Sequence, residues 1–213
     1  MCRRLPLKSR WVRRLGWLSL AGFLVLRGAN ARAVEKTPRF ELRTVMVTPP
    51  ESSPMPRCIV TLETNQISFL PPMQWRVVAH RPDQKVVMSP SDGSIQLSFR
   101  LWPEYAGKTN LIDAKDLLPL VEQRFAGARV ADQYPCHTPA GTGFTFELAL
   151  PATSGTAKLH TRIAFVQLPV GLVEIQFLCP QSAFRTARFD YNRFLTSFSL
   201  EPGTNSATTA PAK

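Results

Sequence analysis

A period-2 alternation of apolar and polar residues recurs along this chain and constrains its fold more than any other feature. Residues 95, 97, 99 and 101 are Ile, Leu, Phe and Leu, with Gln96, Ser98 and Arg100 between them. Such alternation is typical of a strand with one buried face. The Pro, Asp and Gly of residues 89–93 precede it, so residues 85–88 and 94–102 are predicted to form a hairpin.

The same alternation predicts further strands and a second hairpin. Alternating apolar residues occupy 144–150, and the runs 159–168 and 172–178 flank the turn Pro169-Val170-Gly171. Residues 40–47 and 74–79 are predicted strands, with the proline-rich 48–56 as a loop between them. Helical spacing predicts two helices, over about 112–126 and about 181–197. Pro119 fits the first helix if Asp116 is its N-cap, because amides of the first turn lack intrahelical partners; otherwise the helix is kinked.

Charge and hydropathy divide the chain into four segments. Residues 1–33 hold eight basic and no acidic residues, which leaves 18 basic against 15 acidic residues in the remainder. A basic start, the apolar run 15–26 and the small-residue site Ala31-Arg32-Ala33 predict an export signal cleaved between Ala33 and Val34. The apolar run has 12 residues, whereas a spanning helix needs about 20, so an uncleaved anchor ranks second.

The rest of the chain is divided into three segments. An N-terminal strand and proline-rich region, 34–66, precedes an α+β domain, 67–200. Residues 201–213 lack large apolar side chains and are predicted to be a disordered tail.

These elements predict an α+β fold in which helices flank an antiparallel sheet. Three stretches resemble the PsbP-like and DcrB-like family of exported domains: ISFLPPMQWRVV (67–78), VVMSPSDGSIQLSFRL (86–101) and LVEIQFLCPQSAFRTARFDYNRFLTSFSL (172–200). The resemblance covers roughly residues 67–200 and includes no catalytic motif. It implies an α-β-α sandwich and a non-enzymatic, partner-binding role in the periplasm or another exported location.

Cys136 and His137 adjoin each other, which raises the alternative of a thiol-dependent enzyme. In an extended strand the two side chains point to opposite faces, with Cys136 in phase with Val130 and Tyr134. A partner histidine would then be His80 or His160, distant in sequence. Cys179 is in phase with Ile175 and Phe177, so we expect both Cys136 and Cys179 to face the core.

In an exported protein two inward cysteines can form a disulfide. A Cys136–Cys179 bridge would close a loop of about 44 residues and stabilise by about 4 kcal/mol. Two buried free thiols are the alternative, and pairings that include Cys58 stay open.

No other pattern predicts chemistry. Gly141-Thr142-Gly143 leads into a strand and offers no helix N-terminus for a phosphate. Asp113 and Asp116 favour a helix start, and the three histidines have no zinc-site spacing. Glu147 and Glu174 occupy outward strand positions, where solvated carboxylates are expected. We therefore expect no catalytic site, cofactor or metal, and the net charge of the mature part is too small for nucleic acid.

The remaining hypothesis concerns a partner. Trp102 and Tyr105 follow the strongest strand in a segment that Pro103 and Gly107 interrupt, which predicts a surface loop. Trp and Tyr are enriched at binding hot spots. The loop is the candidate site for an unknown protein partner, unless Trp102 folds back to cap the sheet core.

Overall fold

Two antiparallel sheets and two helices make up the described part of the chain. The structure, a computed structural model, describes residues 39–48, 50, 53–108, 111, 113–150 and 159–203. The predicted cleavage site at Ala33 and Val34 lies outside these residues. The first sheet has four strands in the order β1-β2-β3-β11. They are β1 (Glu41–Val47), β2 (Met55–Thr61), β3 (Asn65–Phe69) and β11 (Ser199–Pro202).

The second sheet has seven strands and includes both predicted hairpins. Its order is β4-β5-β6-β10-β9-β8-β7. The strands are β4 (Arg76–His80), β5 (Lys85–Ser89), β6 (Gln96–Trp102), β7 (Arg129–Thr138), β8 (Gly141–Ala149), β9 (Leu159–Leu168) and β10 (Gly171–Pro180). Hairpins β5–β6 and β9–β10 pair as the alternation predicted. Gly171 begins β10 with φ 141°, where an added Cβ would lie 2.5 Å from the carbonyl oxygen of Trp102.

The two helices lie on opposite faces of the seven-stranded sheet. Helix α1 (Ala114–Arg124) buries Leu117 and Val121 in a smaller apolar cluster with residues of β8, β9 and β10. Helix α2 (Phe184–Ser197) buries its apolar side in a larger cluster, which also includes the inner face of the four-stranded sheet. In that cluster the rings of Phe69 and Phe194 lie 5.4 Å apart. Successive residues of the central strands therefore pack against different layers. These strands are buried on both faces as a result.

Helix α1 differs from the prediction at its N-terminus. The N-cap residue is Asp113 rather than Asp116, so Pro119 falls inside the helix. The interpretation that placed Pro119 in the first turn is therefore wrong. A proline at an interior position removes one i→i−4 hydrogen bond, and α1 keeps its buried stripe despite that loss.

The α+β class with antiparallel sheets is confirmed. The structure differs from the single predicted sheet in the N-terminal part of the chain and after helix α2. Strand β2 begins at Met55, within the predicted loop, and β3 follows it. Strand β11 runs to Pro202, so the first residues of the predicted tail are ordered by pairing with β3. The Glu201 carboxylate accepts hydrogen bonds from the hydroxyls of Ser68 and Ser199. Residues 204–213 lie outside the described residues.

A register shift between Val130 and Asp132 changes the phase of β7. Val130 packs in the smaller cluster, whereas Cys136 is buried in the larger one. The predicted phase relation between these two residues is therefore wrong, because a bulge inserts an extra residue and exchanges the two faces.

Candidate functional site

A buried carboxylate marks the centre of the candidate site. Glu174 lies in β10 between two apolar neighbours that face the larger cluster, and its own side chain points towards α1. Only 3% of the residue is exposed. Both carboxylate oxygens are engaged: Arg124 donates from Nε to Oε2 at 3.2 Å and from Nη2 to Oε1 at 3.2 Å. The Trp102 indole donates from Nε1 to Oε2 at 3.2 Å.

Three elements of the fold, β6, β10 and α1, hold these three side chains. Trp102 is the last residue of β6 and pairs with Leu172 at the start of β10. Arg124 is the last residue of α1, whose Leu117 and Val121 anchor the helix to the sheet. A buried charge needs hydrogen-bonded partners, and the helix end and the strand end supply them from two sides.

Stacked cations fix the orientation of the indole. The guanidinium carbon of Arg100 lies 4.2 Å from the centroid of the Trp102 ring, and that of Arg124 lies 5.5 Å away. Cation–π contacts of this kind contribute about 0.5–1 kcal/mol where they are exposed to water. The indole is thus held by a hydrogen bond and by two guanidinium contacts.

An open cavity of 410 Å³ adjoins the ion pair. We call it the Trp102 cavity. Its walls combine aromatic, aliphatic and polar side chains: Trp102, Glu104, Tyr105, Leu120, Gln123, Arg124, Phe165, Leu172 and Glu174. This volume lies within the range of about 300–1,000 Å³ that is common for ligand pockets. Both oxygens of Glu174 accept hydrogen bonds, so the Glu174, Arg124 and Trp102 side chains form a fixed part of the cavity wall.

Trp102 and Tyr105 therefore meet in one place, and Tyr105 lies in the largely exposed connection between β6 and α1. Trp102 belongs to β6, and Tyr105 ends a short 3₁₀ turn, Pro103–Tyr105. Both are half-buried and pack against the smaller apolar cluster. Their part in partner binding stays a prediction.

The two carboxylates expected to be solvated are both paired. Glu147 of β8 binds Arg162 of β9 and accepts a hydrogen bond from the Tyr134 hydroxyl at 3.3 Å. Glu174 binds Arg124 on the other face of the sheet. The expectation of solvated side chains is wrong because helices and neighbouring arginines cover both faces.

The residues considered for thiol chemistry do not come together. Cys136 is buried in the larger cluster, whereas His137 is exposed. Burial raises the pKa of the Cys136 thiol, and a hydrogen bond with Thr145 opposes the increase only in part. A raised pKa lowers the thiolate fraction on which nucleophilic attack depends.

The predicted Cys136–Cys179 bridge is not present. Cys58, Cys136 and Cys179 are buried free thiols. Cys136 is in β7 and Cys179 is in β10, with β8 and β9 between them. Three strand spacings amount to about 14 Å, whereas the Cα atoms of a disulfide lie about 4.4–6.8 Å apart. The pattern placed both side chains towards the core correctly, but it carries no information on how many strands separate them.

Gly143 and His160 are held in close contacts within the sheet, whereas His80 is exposed. An added Cβ at Gly143 would lie 1.7 Å from the carbonyl oxygen of Phe165, so this glycine permits the close approach of β8 and β9. His80 is exposed at the end of β4, but His160 is half-buried and stacks on Phe184 at 3.6 Å. Burial lowers the pKa of His160, although Glu147 opposes the decrease. Within the described ranges no group of three or more side chains suits a metal ion.

Comparison with solved structures finds distant structural similarities. No protein-family profile matches the chain, and no curated protein matches it. The crystal structure of LpqN, involved in cell envelope biogenesis of Mycobacterium tuberculosis, is 12% identical and has a TM-score of 0.38. The match covers 76% of this chain and 92% of that chain. At these values the similarity carries no argument about function, and the PsbP-like and DcrB-like resemblance is not confirmed. Neither α1 nor α2 is long and apolar enough to span a bilayer.

Proposed function

We propose that this chain is an exported, non-catalytic domain that binds a protein partner through the Trp102 cavity. The observation that carries the proposal is the meeting of half-buried Trp102 and Tyr105 at an open cavity beside a buried ion pair. Hot spots of protein interfaces are enriched in Trp and Tyr within rigid, largely desolvated pockets. An envelope location, with helices flanking the sheet, forms part of the same proposal and rests on the predicted export segment.

The composition of the cavity indicates what such a partner presents. Arg124 and Glu174 neutralise each other, and the remaining walls are mainly aromatic and aliphatic. A neutral apolar side chain of the partner would therefore lose little solvation there, whereas a charged one would meet charges of both signs at the rim, Glu104 on one side and Arg100 and Lys108 beside Trp102 and Tyr105 on the other. We propose that one apolar side chain of the partner occupies the Trp102 cavity.

The proposal is preferred to a thiol-dependent enzyme because of the surroundings of Cys136. A catalytic thiol needs a lowered pKa and access to substrate. Cys136 is buried and its pKa is raised. The alternative of a membrane-anchored domain requires that residues 1–33 remain attached.

Site-specific photo-cross-linking tests the partner site. A photoreactive residue replaces Gln123, which is exposed at the cavity, and in a second protein it replaces Met73, which is 68% exposed. Both proteins are expressed in their native cells and irradiated. We expect position 123 to give one discrete cross-linked protein, and we expect that protein to be absent from the products of position 73. Tyr105→Ala in the first protein should remove that product, and Met73→Ala should not.

Two results would contradict the proposal. One is the same set of cross-linked proteins from positions 123 and 73. The other is a position-123 product that persists after Tyr105→Ala in a protein with an unchanged melting temperature. Mass spectrometry of the same protein tests export: we expect a mature N-terminus at Val34, and an intact N-terminus would favour the anchored alternative.

A further inference from the structure

Basic side chains cross one face of the seven-stranded sheet next to the Trp102 cavity. The strand registers align His80 of β4 with Lys85 of β5, and Lys85 with Arg100 of β6. Arg100 is in turn aligned with Glu174 of β10. We call His80, Lys85 and Arg100 the basic row. Because directly paired residues of neighbouring strands share a face, the basic row lies on the face that also carries Glu174 and Trp102.

Helix α1 leaves this part of the face uncovered. The apolar cluster beneath α1 consists of residues from β8, β9 and β10 and includes none from β4 or β5. Val78 and Val87 are paired beside the basic row and are only half-buried. Lys85 and Arg100 are also half-buried, and His80 is exposed. Within the described part of the chain, the basic row is therefore open to a partner.

The positive charges of the basic row exceed the negative charge beside them. One carboxylate, Glu174, is set against three cations, Arg124, Arg100 and Lys85, and its two oxygens are already engaged by Arg124 and the indole. Neither Arg100 nor Lys85 forms an ion pair with a described residue. The turn 81–84 between β4 and β5 has one acidic and one basic residue, so it adds no net charge.

This arrangement is unfavourable without an anion. Lys85 and Arg100 are directly opposite each other in β5 and β6, and like charges in that position destabilise a sheet. A carboxylate placed over the two side chains would remove the repulsion and gain two attractive contacts. The basic row therefore favours an anionic partner.

The distance between the basic row and the Trp102 cavity determines how one partner would use both. The guanidinium carbon of Arg100 lies 4.2 Å from the centroid of the Trp102 ring, so the basic row begins at the cavity wall. Neighbouring strands are about 4.8 Å apart, which places Lys85 about 5 Å beyond Arg100. An extended chain advances about 3.3 Å per residue, so an acidic residue about two to four positions from the side chain in the cavity would reach the basic row.

We propose that the basic row binds an acidic segment of the protein partner whose apolar side chain occupies the Trp102 cavity. This inference rests on the proposed function and adds the charge of the partner to it. A carboxylate of the segment pairs with Lys85 and Arg100, about two to four residues from the apolar side chain. An anionic membrane is recognised by clusters of about four to eight Lys or Arg residues, so the short basic row suits a protein segment better.

NMR titration of the purified protein with three short peptides tests the proposal. Acetyl-Asp-Asp-Gly-Leu-amide supplies the charge and the apolar side chain, and peptides with Asn-Asn or Lys-Lys in place of Asp-Asp are matched controls. We expect the Asp-Asp peptide to cause saturable shifts of the amides of residues 78–80, 85–87 and 98–105. The Asn-Asn peptide should bind about fivefold more weakly, as exposed charge pairs allow, and the Lys-Lys peptide more weakly still. The difference should shrink in about 0.5 M salt, because salt screens exposed pairs.

Two substitutions of Lys85 separate binding from folding. Lys85→Gln removes one of the repelling charges, so the Tm should stay unchanged or rise while the affinity for the Asp-Asp peptide falls about threefold. Lys85→Glu places a carboxylate opposite Arg100 and should abolish the preference for Asp-Asp over Lys-Lys. Lys115→Gln is the matched control and should not change the affinity, since Lys115 lies in the first turn of α1 with 79% of its side chain exposed.

Four results would overturn the proposal. Equal affinity for the Asp-Asp and Lys-Lys peptides would show that charge does not select the partner. Unchanged affinity in Lys85→Gln would show that the basic row takes no part. A lower Tm of Lys85→Gln would mean that Lys85 is already compensated within the protein. Cosedimentation with phosphatidylglycerol vesicles that is lost in Lys85→Gln would assign the basic row to a membrane surface.

The same titrations distinguish a failure of this inference from a failure of the proposed function. If the Asp-Asp and Asn-Asn peptides bind equally and Tyr105→Ala weakens both, the Trp102 cavity binds a partner and the basic row does not select its charge. If Lys85→Gln weakens the Asp-Asp peptide and Tyr105→Ala does not, the basic row binds and the Trp102 cavity does not. Absence of saturable shifts with all three peptides would contradict both.

Discussion

Removing Arg124 should expose the energetic cost of the buried Glu174 carboxylate. In Arg124→Met the carboxylate keeps one donor, the indole of Trp102, at a position where 4% of its side chain is exposed. Breaking a fully buried ion pair costs about 3–5 kcal/mol. The Arg124 side chain is 38% exposed, so water already screens part of the interaction, and we expect a loss of about 2–3 kcal/mol.

The double variant Arg124→Met/Glu174→Met provides the decisive comparison. It removes both charges and fills the site with apolar side chains, an exchange that is often neutral or stabilising. The Trp102 indole loses its acceptor, but it lines the open Trp102 cavity, where water can replace that acceptor. We therefore expect the double variant to be more stable than Arg124→Met alone, with a coupling energy of about 2 kcal/mol between the two sites.

Urea unfolding followed by circular dichroism at 25 °C measures these free energies. For a domain of this size, about 1 kcal/mol corresponds to about 2–4 °C in Tm. Arg124→Met should therefore melt about 4–12 °C below the parent protein. A loss of unfolding free energy below about 0.5 kcal/mol would show that the Arg124–Glu174 pair contributes no more than a surface salt bridge. If the double variant loses as much unfolding free energy as Arg124→Met and Glu174→Met together, the argument that a lone buried charge is the source of instability is refuted.

Four further outcomes follow from the packing and the pKa shifts. Cys136 should react with Ellman's reagent far more slowly in the native protein than in urea, because burial raises its pKa. Burial lowers the pKa of His160 below its unfolded value of about 6.5. Its contribution to stability is therefore complete above about pH 6.5 and is lost as the pH falls through the folded pKa, so His160→Gln should reduce the Tm decrease between pH 7 and 5. Gly143→Ala should cost more than about 3 kcal/mol, since its Cβ would lie 1.7 Å from the Phe165 carbonyl oxygen. Deleting residues 201–213 should lower the Tm, whereas a chain that ends at Gly203 should retain it, because strand β11 ends at Pro202.

The sequence predicted the hairpins of the seven-stranded sheet because local alternation and local turns specify them. Residues 95–101 alternate without interruption, and the turn before them contains Pro90 and Gly93. Strands β2, β3 and β11 have weaker patterns, and β11 pairs with β3 across more than 130 residues. Pairing over such a separation depends on the packing of the whole domain, which a short local pattern cannot convey.

Half of the candidate site was predictable. Trp102 and Tyr105 stand out in sequence as large aromatic residues just after a strong strand. Glu174 was misjudged because alternation identifies a second face but does not say what covers it. The signal that remained was its place in the apolar run Leu172-Val173-Glu174-Ile175. A central strand covered on both faces reads as an apolar run, and a carboxylate within such a run requires a cationic partner.

Each face of the seven-stranded sheet carries a glutamate that pairs with an arginine of a neighbouring element. On one face Glu174 of β10 pairs with Arg124 of α1, and on the other Glu147 of β8 pairs with Arg162 of β9. The first pair uses a helix end and occupies both oxygens of its carboxylate, so its cavity retains an aromatic, electrically balanced wall. The second pair lies within the sheet, where the Tyr134 hydroxyl also donates to its carboxylate. Each buried or half-buried carboxylate of the sheet is thus compensated by an arginine of an adjacent element, and the removal of either arginine should destabilise the fold more than the removal of an exposed one.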